Sequence, residues 1–549
     1  MTILCGRTNS RSASPPHAHT TGRSSRGCSN ERWYRTQSHR LASGLENDVT
    51  ISHHTTLRAT RVAVVGSGFA GLGAAIALAE AGCAVTVFER AGDVGGVWRD
   101  NGYPGAACDV QSHVYSFSFA PNPNWDNMFA RQSEIYTYLQ RVAREYGVME
   151  RIRLNCPVKA ARWDTDASLW RLTTTAGEFE AEHLVVATGA LADPVIPVVP
   201  GIERFGGAVF HSARWDHTFD LRGKRIAVVG TGASAIQFVP AIQPQVAELT
   251  LFQRTAPWVM PRPDRPISPA KQRMYRAMPW TQRAARTRIY LQREMTVLGF
   301  RNPMLMKHAE RTSLKHLRSQ VSDPRLREKL TPDYRLGCKR ILLSNDYWAS
   351  LDQPNADVVT SGIREVTPDG VIDNDGVLHE VDAIIFGTGF QTSRLPLTDQ
   401  IYGPGGATMA AVWGDSPRAY LGTSVAGFPN VYLMHGPNIG LGHNSVIAMF
   451  EAQIKYIVAA VRHSADHQIA ELEPSAEAQQ EFVDMADRLT DGSVWTSGGC
   501  DSWYLDATGR NSNLWPGTTV KYRVLTNRFR PQDHRQRSVA AVAGKAGAQ

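Results

Sequence analysis

Residues 61–71 read Arg61-Val-Ala-Val-Val-Gly66-Ser-Gly68-Phe-Ala-Gly71, a short apolar run that leads into three glycines. A continuous apolar run of this length is typical of a parallel strand that is buried on both faces. The small side chains that follow predict a helix over residues 70–81, and residues 84–88 predict a second strand. The order of strand, glycine-rich turn, helix and strand predicts a βαβ unit.

The three glycines have the spacing of a dinucleotide-binding turn. In such a turn Gly66 permits the tight bend, Gly68 lets the backbone approach a pyrophosphate, and Gly71 lets the helix pack on the strand. The helix N-terminus then offers unpaired N–H groups to the phosphates. Glu89 lies 18 residues beyond Gly71, near the position of a carboxylate that binds a ribose diol. The alternative is a turn that needs glycine for its geometry alone, and the strand and helix on either side favour the nucleotide site.

The same pattern returns later in the chain. Lys224-Arg-Ile-Ala-Val-Val-Gly230 predicts a strand, and Gly230, Gly232 and Ala235 form the turn before a helix. Alanine is a permitted replacement for the third glycine of this motif. A strand over residues 248–252 closes the unit, so the sequence predicts a second nucleotide site.

The residues that follow the closing strand distinguish the two sites. Where the first unit has Glu89, the second has Arg254 and Thr255. A carboxylate would repel a 2′-phosphate, whereas a guanidinium and a hydroxyl group would bind one. We therefore expect FAD in the first site and NADPH in the second, which implies hydride transfer between them.

Two near copies of an apolar strand that ends in Thr-Gly, residues 182–189 and 382–389, bracket the second unit. This arrangement suggests that the second unit is inserted into the first. Residues 267–331 are rich in Arg, Met and Leu and predict helices that break at Pro279, Pro303 and Pro324. These helices either cap the site or serve as structural filler.

The predicted fold class is α/β, with two nested Rossmann-like domains and a helical insertion. In chain order we expect a disordered basic extension (1–58), an FAD-binding domain in two pieces (59–200 and 370–530), an NADPH-binding domain between them (201–369) and a disordered tail (531–549).

The chain has a net charge of +8, but its basic residues concentrate at the ends. Residues 1–58 and 523–549 each hold an excess of five positive charges, so the remainder is slightly acidic. The folded body therefore lacks the basic footprint of a nucleic-acid-binding protein. No apolar run approaches the roughly 20 residues needed to cross a bilayer, so we expect a soluble protein. The Arg- and Ser-rich first segment also resembles an organelle-targeting peptide, but it lacks an amphipathic pattern.

The chain contains seven cysteines, at positions 5, 28, 83, 108, 156, 338 and 500. No two have the spacing Cys-x-x-Cys, and their number is odd. Both observations argue against a disulfide framework, a zinc site and a dithiol redox centre. We therefore expect buried or inert thiols at all seven positions, no metal site, and a reducing, cytoplasmic location.

Two longer motifs resemble the signatures of the type I Baeyer–Villiger monooxygenases, a class of flavin-containing monooxygenases. The first is Gly96-x-Trp98-x-x-x-x-Tyr103-Pro104-Gly105-x-x-x-Asp109. The second matches that family's fingerprint at every fixed place and consists of Phe205, Gly207, His211, Trp215 and Asp216. Residues 436–444 also resemble the C-terminal half of the family. The resemblance extends over about residues 61–530, and both signatures are long and specific.

The resemblance implies a reaction sequence. NADPH reduces FAD, the reduced flavin adds O2 at its C4a carbon, and the resulting peroxyflavin attacks a ketone to give an ester or lactone. Because a free peroxyflavin decays to hydrogen peroxide, such a site must exclude water and stabilise an anion, for which fixed positive charge in a dry pocket is suited.

The resemblance also assigns residues to roles. It places the catalytic arginine at Arg340, orients this side chain through Asp109, and lets Lys339 help Arg254 bind the 2′-phosphate. Charge-assisted hydrogen bonds would fix the guanidinium beside the carboxylate. Without the resemblance, Arg340 and Asp109 would be interpreted as an ordinary surface pair.

Two further segments have open interpretations. His211 lies before an interdomain hinge, so we expect it to orient domains rather than transfer protons. Residues 494–504 lie where the family has a mobile loop that contacts NADP, and a core aromatic cluster explains their composition equally well.

Three alternatives remain at this stage. A related flavin monooxygenase would oxygenate an amine or sulfide, but the Trp215-Asp216 ending of the fingerprint disfavours it. A flavin disulfide reductase would need a cysteine pair near the flavin. A non-catalytic redox sensor would not need Asp109, Lys339 and Arg340. No motif encodes the ketone or the oligomeric state.

Overall fold

Two five-stranded parallel sheets organise the protein. The computed structural model describes residues 60–297, 299–392 and 395–546. The predicted basic extension, residues 1–58, lies outside these ranges. The strands, in chain order, are β1 (Arg61–Val65), β2 (Ala84–Phe88), β3 (Ile152–Arg153), β4 (Val158–Asp164), β5 (Leu169–Thr174), β6 (Gly177–Ala181), β7 (His183–Val186), β8 (Ala208–His211), β9 (Arg225–Val229), β10 (Glu248–Phe252), β11 (Val259–Met260), β12 (Leu342–Leu343), β13 (Ala356–Val359), β14 (Ile363–Thr367), β15 (Gly370–Asp373), β16 (Leu378–Glu380), β17 (Ala383–Phe386), β18 (Ile401–Tyr402), β19 (Val431–Leu433), β20 (Ile469–Pro474) and β21 (His534–Ser538).

The first sheet has the order β19-β7-β1-β2-β3, and all of its pairings are parallel. Successive side chains of β1 enter different cores, since Val62 and Val64 pack on one face and Ala63 and Val65 on the other. This two-sided burial explains why β1 is a continuous apolar run instead of an alternating one. The edge strand β19 follows the whole second unit in the chain, so the two Rossmann lobes are nested as predicted.

The second sheet has the order β13-β10-β9-β17-β8, and its pairings are also parallel. Strand β17 pairs with β9 and β8, although residues 370–530 were expected to belong to the first domain. The predicted boundary at residues 369 and 370 is therefore wrong, and the second lobe continues at least to Phe386. Strand β7, its near copy, does lie in the first sheet.

Helices pack on both sheets and also form a separate group between β11 and β12. In chain order they are α1 (Phe69–Glu80), α2 (Val97–Asp100), α3 (Gln132–Glu145), α4 (Ala235–Ile242), α5 (Pro269–Ala277), α6 (Pro279–Thr296), α7 (Pro303–Gln320), α8 (Pro324–Lys329), α9 (Tyr347–Leu351), α10 (Met409–Trp413), α11 (Val446–Asp466), α12 (Ala476–Thr490), α13 (Val494–Ser497), α14 (Thr519–Thr526) and α15 (Val539–Ala546).

The predicted helical insertion consists of α5 to α8. Pro279, Pro303 and Pro324, which were expected to break helices, each occupy the beginning of one. Proline suits this position because the first N–H groups of a helix have no partner within it. Across the described ranges, no helix combines the length and the apolarity that a membrane crossing requires.

The C-terminal residues correct a second prediction. Residues 531–549 were expected to be a disordered tail, but β21 pairs antiparallel with β20, and α15 follows it. Leu472 of β20 is buried. Nε2 of His534 in β21 forms a hydrogen bond of 2.7 Å with the hydroxyl group of Tyr456. The ribbon of β20 and β21 buries only one face, so its strands contain many polar residues. Continuous apolar runs, which mark strands such as β1, are therefore absent from these two strands.

The cysteines correct a third prediction. Cys338 and Cys500 form a disulfide across a sequence separation of 162 residues, whereas all seven cysteines were expected to be unpaired. Cys83, Cys108 and Cys156 are buried free thiols, as predicted. Cysteine spacing could not reveal the bond because its two halves come from distant loops.

Candidate active site

The first glycine-rich turn leaves no room for side chains. Gly66 has φ of +104°, and a Cβ atom there would lie 2.5 Å from the carbonyl oxygen of Ala187. A Cβ atom at Gly71 would lie 1.9 Å from the carbonyl oxygen of Gly66, so α1 contacts the turn directly. At both positions a larger side chain would collide with backbone atoms.

Gly68 and Gly96 bring two backbone segments close together at the N-terminus of α1. A Cβ atom at Gly96 would lie 3.1 Å from the Cα atom of Gly68, and Gly68 is the residue that begins the helix. No side chain caps this helix, so its first N–H groups remain available to a phosphate. An uncapped helix N-terminus beside bare glycine backbone fits the pyrophosphate of FAD.

Glu89 lies at the end of β2 and is 4% exposed. One carboxylate oxygen accepts hydrogen bonds from the N–H and the hydroxyl group of Ser67 at 2.9 and 2.6 Å. The other accepts from the N–H of Ala91 at 3.0 Å and from Arg99 at 3.2 Å. Glu89 therefore holds the glycine turn in place, and its contact with a ribose stays a prediction. Sequence reasoning missed Ser67 and Arg99.

Trp98 is half-buried on α2, which begins directly after Gly96. Its Nε1 donates to the hydroxyl group of Tyr115 at 3.1 Å, and the two rings meet edge to face at 5.5 Å. Gln132 donates to the Trp98 carbonyl oxygen. These contacts fix the ring of Trp98 in place.

The second glycine-rich turn repeats the geometry of the first. Gly230 also has φ of +104°, and a Cβ atom there would lie 2.7 Å from the carbonyl oxygen of Gly387. At Gly232 the corresponding distance is 3.6 Å, which leaves space for a close approach. Ala235 is fully buried and lies against Gly387, so its methyl group is accommodated by a glycine on the neighbouring strand.

Two cations lie together beside the second turn. The side chain of Arg254 is exposed. The pKa of Lys339 lies below its usual value, because Lys339 itself is partly buried and because the positive charge of Arg254 lies nearby. Lys339 also lies over the ring of Tyr334, at 5.0 Å. Thr255 contributes its carbonyl oxygen to the hydroxyl group of Thr231 at 2.9 Å. Two adjacent cations repel each other, and a doubly charged anion such as a 2′-phosphate would relieve this repulsion.

Arg340 and Asp109 form a close ion pair. Oδ2 of Asp109 lies 2.8 Å from Nε and 2.6 Å from Nη2 of Arg340. Burial alone would raise the pKa of Asp109, but the guanidinium outweighs this effect and holds the pKa below its usual range. Asp109 in turn raises the pKa of Arg340. The pair joins two residues that are 231 positions apart, and it is charged at any physiological pH.

Two residues that sequence reasoning did not select lie near this pair. Nε of Arg293 in α6 donates to the side chain of Gln111 at 2.7 Å. Burial lowers the pKa of Arg293, and the negative charge of Asp109 opposes this effect. Burial raises the pKa of Tyr504 to about 12, and the charge of Arg340 acts in the opposite direction. The insertion therefore lines the site through Arg293, which no motif in the sequence indicates.

The fingerprint residues pack around strand β8 of the second lobe. A Cβ atom at Gly207 would lie 2.3 Å from the carbonyl oxygen of Asp382 and 2.7 Å from the ring of Phe205. His211 is 1% exposed, accepts from the N–H of Ala213 at 3.0 Å, and has a pKa lowered to about 4 by burial. A neutral, enclosed imidazole agrees with the expected orienting role and not with proton transfer at neutral pH.

The last two fingerprint residues also have structural contacts. The ring of Trp215 packs against Phe210 at 5.2 Å and against Phe238 of α4 at 5.4 Å. Oδ1 of Asp216 accepts from the N–H and the hydroxyl group of Thr218 at 2.9 and 2.6 Å, which closes a turn.

The other signature docks the first lobe on the second. The hydroxyl group of Tyr103 donates to Gln237 of α4 at 3.1 Å, and Gln237 also exchanges hydrogen bonds with the backbone of Ala107. A Cβ atom at Gly105 would lie 2.5 Å from the carbonyl oxygen of Gln237. Asp109 is thereby placed beside the second lobe, where it meets Arg340.

Two glycine-rich turns and a half-buried arginine–carboxylate pair indicate a dinucleotide-dependent redox enzyme, and comparisons with known proteins agree. The family model for flavin-binding monooxygenase-like proteins matches residues 59–402. A Baeyer–Villiger monooxygenase of Pseudomonas aeruginosa is 48% identical over 476 residues, which is 86% of this chain and 90% of that protein.

Solved structures give the same result. Cyclohexanone monooxygenase from Rhodococcus sp. Phi1, bound to NADP+, superposes with a TM-score of 0.78 at 28% identity and covers 87% of this chain and 100% of its own. OTEMO in complex with FAD and NADP superposes with a TM-score of 0.77 at 26% identity, over 85% of this chain and 96% of its own.

The chain belongs to the flavin-binding monooxygenase-like family. The predicted fold class, the cofactors FAD and NADPH, and the class of enzyme, an NADPH-dependent flavin monooxygenase of the Baeyer–Villiger type, are confirmed. Within the described part of the chain, no group of three His, Cys, Asp or Glu side chains is arranged to hold a metal ion.

Proposed function

We propose that the substrate is a small-molecule ketone, into which the enzyme inserts one oxygen atom of O2 to form an ester or lactone. The observation that carries this proposal is the half-buried Arg340–Asp109 pair, which lies where the two lobes meet and places a permanent positive charge there. When bound, FAD supplies the redox chemistry with O2, and NADPH supplies the hydride. The names of the relatives support a ketone as the acceptor.

The protein contributes binding and fixed charge. We assign the nucleotide 2′-phosphate to Arg254 and Lys339, which lie close enough for the charge of Arg254 to lower the pKa of Lys339, an effect that Asp501 and Asp333 oppose. Arg340 stabilises negative charge that develops on oxygen during the reaction, and it does so without reorganising because Asp109 already fixes its orientation. The buried Tyr504 and Arg293 lie close to Arg340.

The remaining site residues orient the lobes. The fingerprint residues make packing contacts and hydrogen bonds with neighbouring protein atoms, and they are Phe205, Gly207, His211, Trp215 and Asp216. His211 is neutral at pH 7 because burial lowers its pKa to about 4. We propose that these residues set the angle at which NADPH approaches the flavin. The cytoplasmic location rested partly on unpaired cysteines, and it stays a prediction.

The reaction is tested by supplying the holoenzyme with NADPH, O2 and a panel of cyclic, linear, aromatic and steroid ketones, with an aryl sulfide and a tertiary amine for comparison. We expect NADPH consumption to be coupled to ester or lactone formation for at least one ketone class, as detected by gas chromatography and mass spectrometry. Coupled oxidation of the sulfide or amine with no ester from any ketone would contradict the proposal.

A further inference from the structure

A disulfide joins the two loops that flank the Arg340 site. Cys338 directly precedes Lys339 and Arg340, and Cys500 lies four residues before Tyr504. Tyr504 is buried, and the Arg340 charge acts on its hydroxyl group. The bond therefore links the loop that carries Lys339 and Arg340 to the loop that carries Tyr504.

The two loops also touch without the bond. The N–H of Arg335 donates to the carbonyl oxygen of Gly498 at 3.1 Å, and a Cβ atom at Gly498 would lie 2.5 Å from the Cβ atom of Cys338. Cys338 belongs to a buried apolar cluster that includes Trp495 and Tyr504. Because these contacts do not depend on the disulfide, its reduction should loosen the loops rather than unfold them.

We propose that the Cys338–Cys500 pair is a redox-sensitive positioning device for NADPH binding and for coupled oxygenation. As a disulfide, it holds Lys339 and Arg340 against the 494–504 loop. As a dithiol, it lets the two loops separate, which weakens NADPH binding and raises the fraction of NADPH that is oxidised without product. The inference rests on the proposed roles of Lys339 and Arg340.

The exposure of the two sulfur-bearing residues suits a reversible reaction with a peroxide. Cys338 is 1% exposed, whereas Cys500 is only half-buried. The Cys500 thiolate attacks hydrogen peroxide to give a sulfenic acid and hydroxide, and the Cys338 thiolate then displaces a second hydroxide to form the disulfide. Two thiols lose two electrons and two protons, and peroxide becomes two waters. A dithiol reductant reverses the reaction by two exchange steps.

The test compares dithiothreitol-treated and peroxide-treated holoenzyme, each freed of reagent before assay. Peptide mapping under non-reducing conditions should find the linked Cys338 and Cys500 peptides only in the oxidised sample. Reduction should raise the KM for NADPH by about 5-fold, the effect of weakening one charge-assisted contact without removing it. It should also raise the hydrogen peroxide released per NADPH consumed, with a smaller change in kcat.

Two variants serve as controls. Cys500→Ser should behave like the reduced enzyme and no longer respond to either reagent. Cys156→Ser removes a buried free thiol in the core of the first lobe, and it should respond as the parent enzyme does.

Three results would overturn the proposal: no linked peptide after oxidation, an unchanged KM and peroxide yield despite the link, or a lower melting temperature as the only effect of reduction. Lys339→Ala separates this failure from that of the proposed function. If this variant binds NADPH normally while the redox effect persists in the parent, the assigned role of Lys339 is wrong, and the disulfide acts on NADPH binding through other residues of the two loops.

Discussion

The two nucleotide lobes use the same turn for opposite electrostatic purposes. Gly66 and Gly230 share a φ of +104° and the same close approach to a neighbouring strand. After the second strand of each unit, however, the first lobe has the buried Glu89, whose oxygens are held by protein donors, while the second has the exposed Arg254. We propose that the shared backbone provides nucleotide binding and that the residue after the strand selects the nucleotide.

The same difference should affect how readily each lobe releases its nucleotide. Three hydrogen bonds tie Glu89 to the turn and to α2, so the first lobe is preorganised for a cofactor that stays bound. Lys339 and Arg254 repel each other until an anion binds, which suits a nucleotide that enters and leaves in each cycle. The following predictions test this contrast, in order of decreasing effect.

The largest effect is expected from a methyl group at either turn. Gly66→Ala should give protein without bound FAD, because a Cβ atom would lie 2.5 Å from a carbonyl oxygen. Gly230→Ala should keep its FAD but raise the KM for NADPH by roughly 10- to 100-fold, since backbone strain at positive φ costs a few kcal/mol. FAD absorbance per protein and anaerobic reduction by NADPH measure the two effects. Equal loss of FAD in both variants would contradict the division between the lobes.

Removal of the carboxylate at the lobe junction should have the next largest effect. Asp109→Ala should reduce ester formation by roughly 10- to 100-fold, because Arg340 keeps its charge but loses its orientation. The NADPH that is still oxidised should appear as hydrogen peroxide, measured with a peroxidase-coupled dye. Asp109→Asn, which keeps an oxygen but no charge, should lie between the parent and Asp109→Ala. If both variants couple NADPH oxidation to ester formation as efficiently as the parent, Asp109 has no role in oxygenation.

Selection of the nucleotide should depend on one side chain. Arg254→Ala removes a charge-assisted contact, which contributes roughly 1.5 to 3 kcal/mol, so the KM for NADPH should rise about 10- to 150-fold. Steady-state kinetics with NADH should be almost unchanged, because NADH lacks the 2′-phosphate. If both nucleotides bind more weakly by the same factor, Arg254 does not recognise this group.

The smallest effect concerns the attachment of the insertion to the first lobe. Burial alone would raise the pKa of Glu294, but His443 at 3.6 Å and hydrogen bonds from Thr519 and Asn444 lower it to about 2. A carboxyl group with a depressed pKa stabilises the fold above its unfolded pKa, and this contribution is lost as the pH falls from about 4.5 toward 2.

We therefore expect the parent to lose about 1 to 3 kcal/mol of unfolding free energy relative to Glu294→Gln between pH 6 and pH 3. Urea unfolding at both pH values, followed by tryptophan fluorescence, provides the measurement. Parallel pH dependence of the two proteins would show that Glu294 does not act in its ionised form.

Local patterns predicted the parts of the fold that local sequence determines. Strands β1, β2 and β10 have the predicted bounds, because apolar runs and glycine turns are encoded within a few residues. The near copies at residues 182–189 and 382–389 were both recognised as strands. Their assignment to different sheets depends on long-range pairing, and for this reason the boundary at residue 370 was wrong.

The site was predictable where a long motif marked it. Asp109 and Arg340 were selected through a family resemblance, and the structure brings them together. Arg293 and Tyr504 lie in segments whose composition fits a cap, a loop or filler equally well. The Cys338–Cys500 bond was missed because neither spacing nor count can reveal a pair that is 162 residues apart.

The central claim is that Arg340 serves oxygenation and not flavin reduction. The most direct test is stopped-flow spectroscopy of Arg340→Ala, first with NADPH under anaerobic conditions and then with O2 and a ketone. We predict a yellow, folded protein that NADPH reduces at near the parent rate and that O2 reoxidises with release of hydrogen peroxide and no ester. Arg340→Lys should recover little, because lysine keeps a charge but lacks the planar donor fork. Ester formation by Arg340→Ala at near the parent rate would contradict the account.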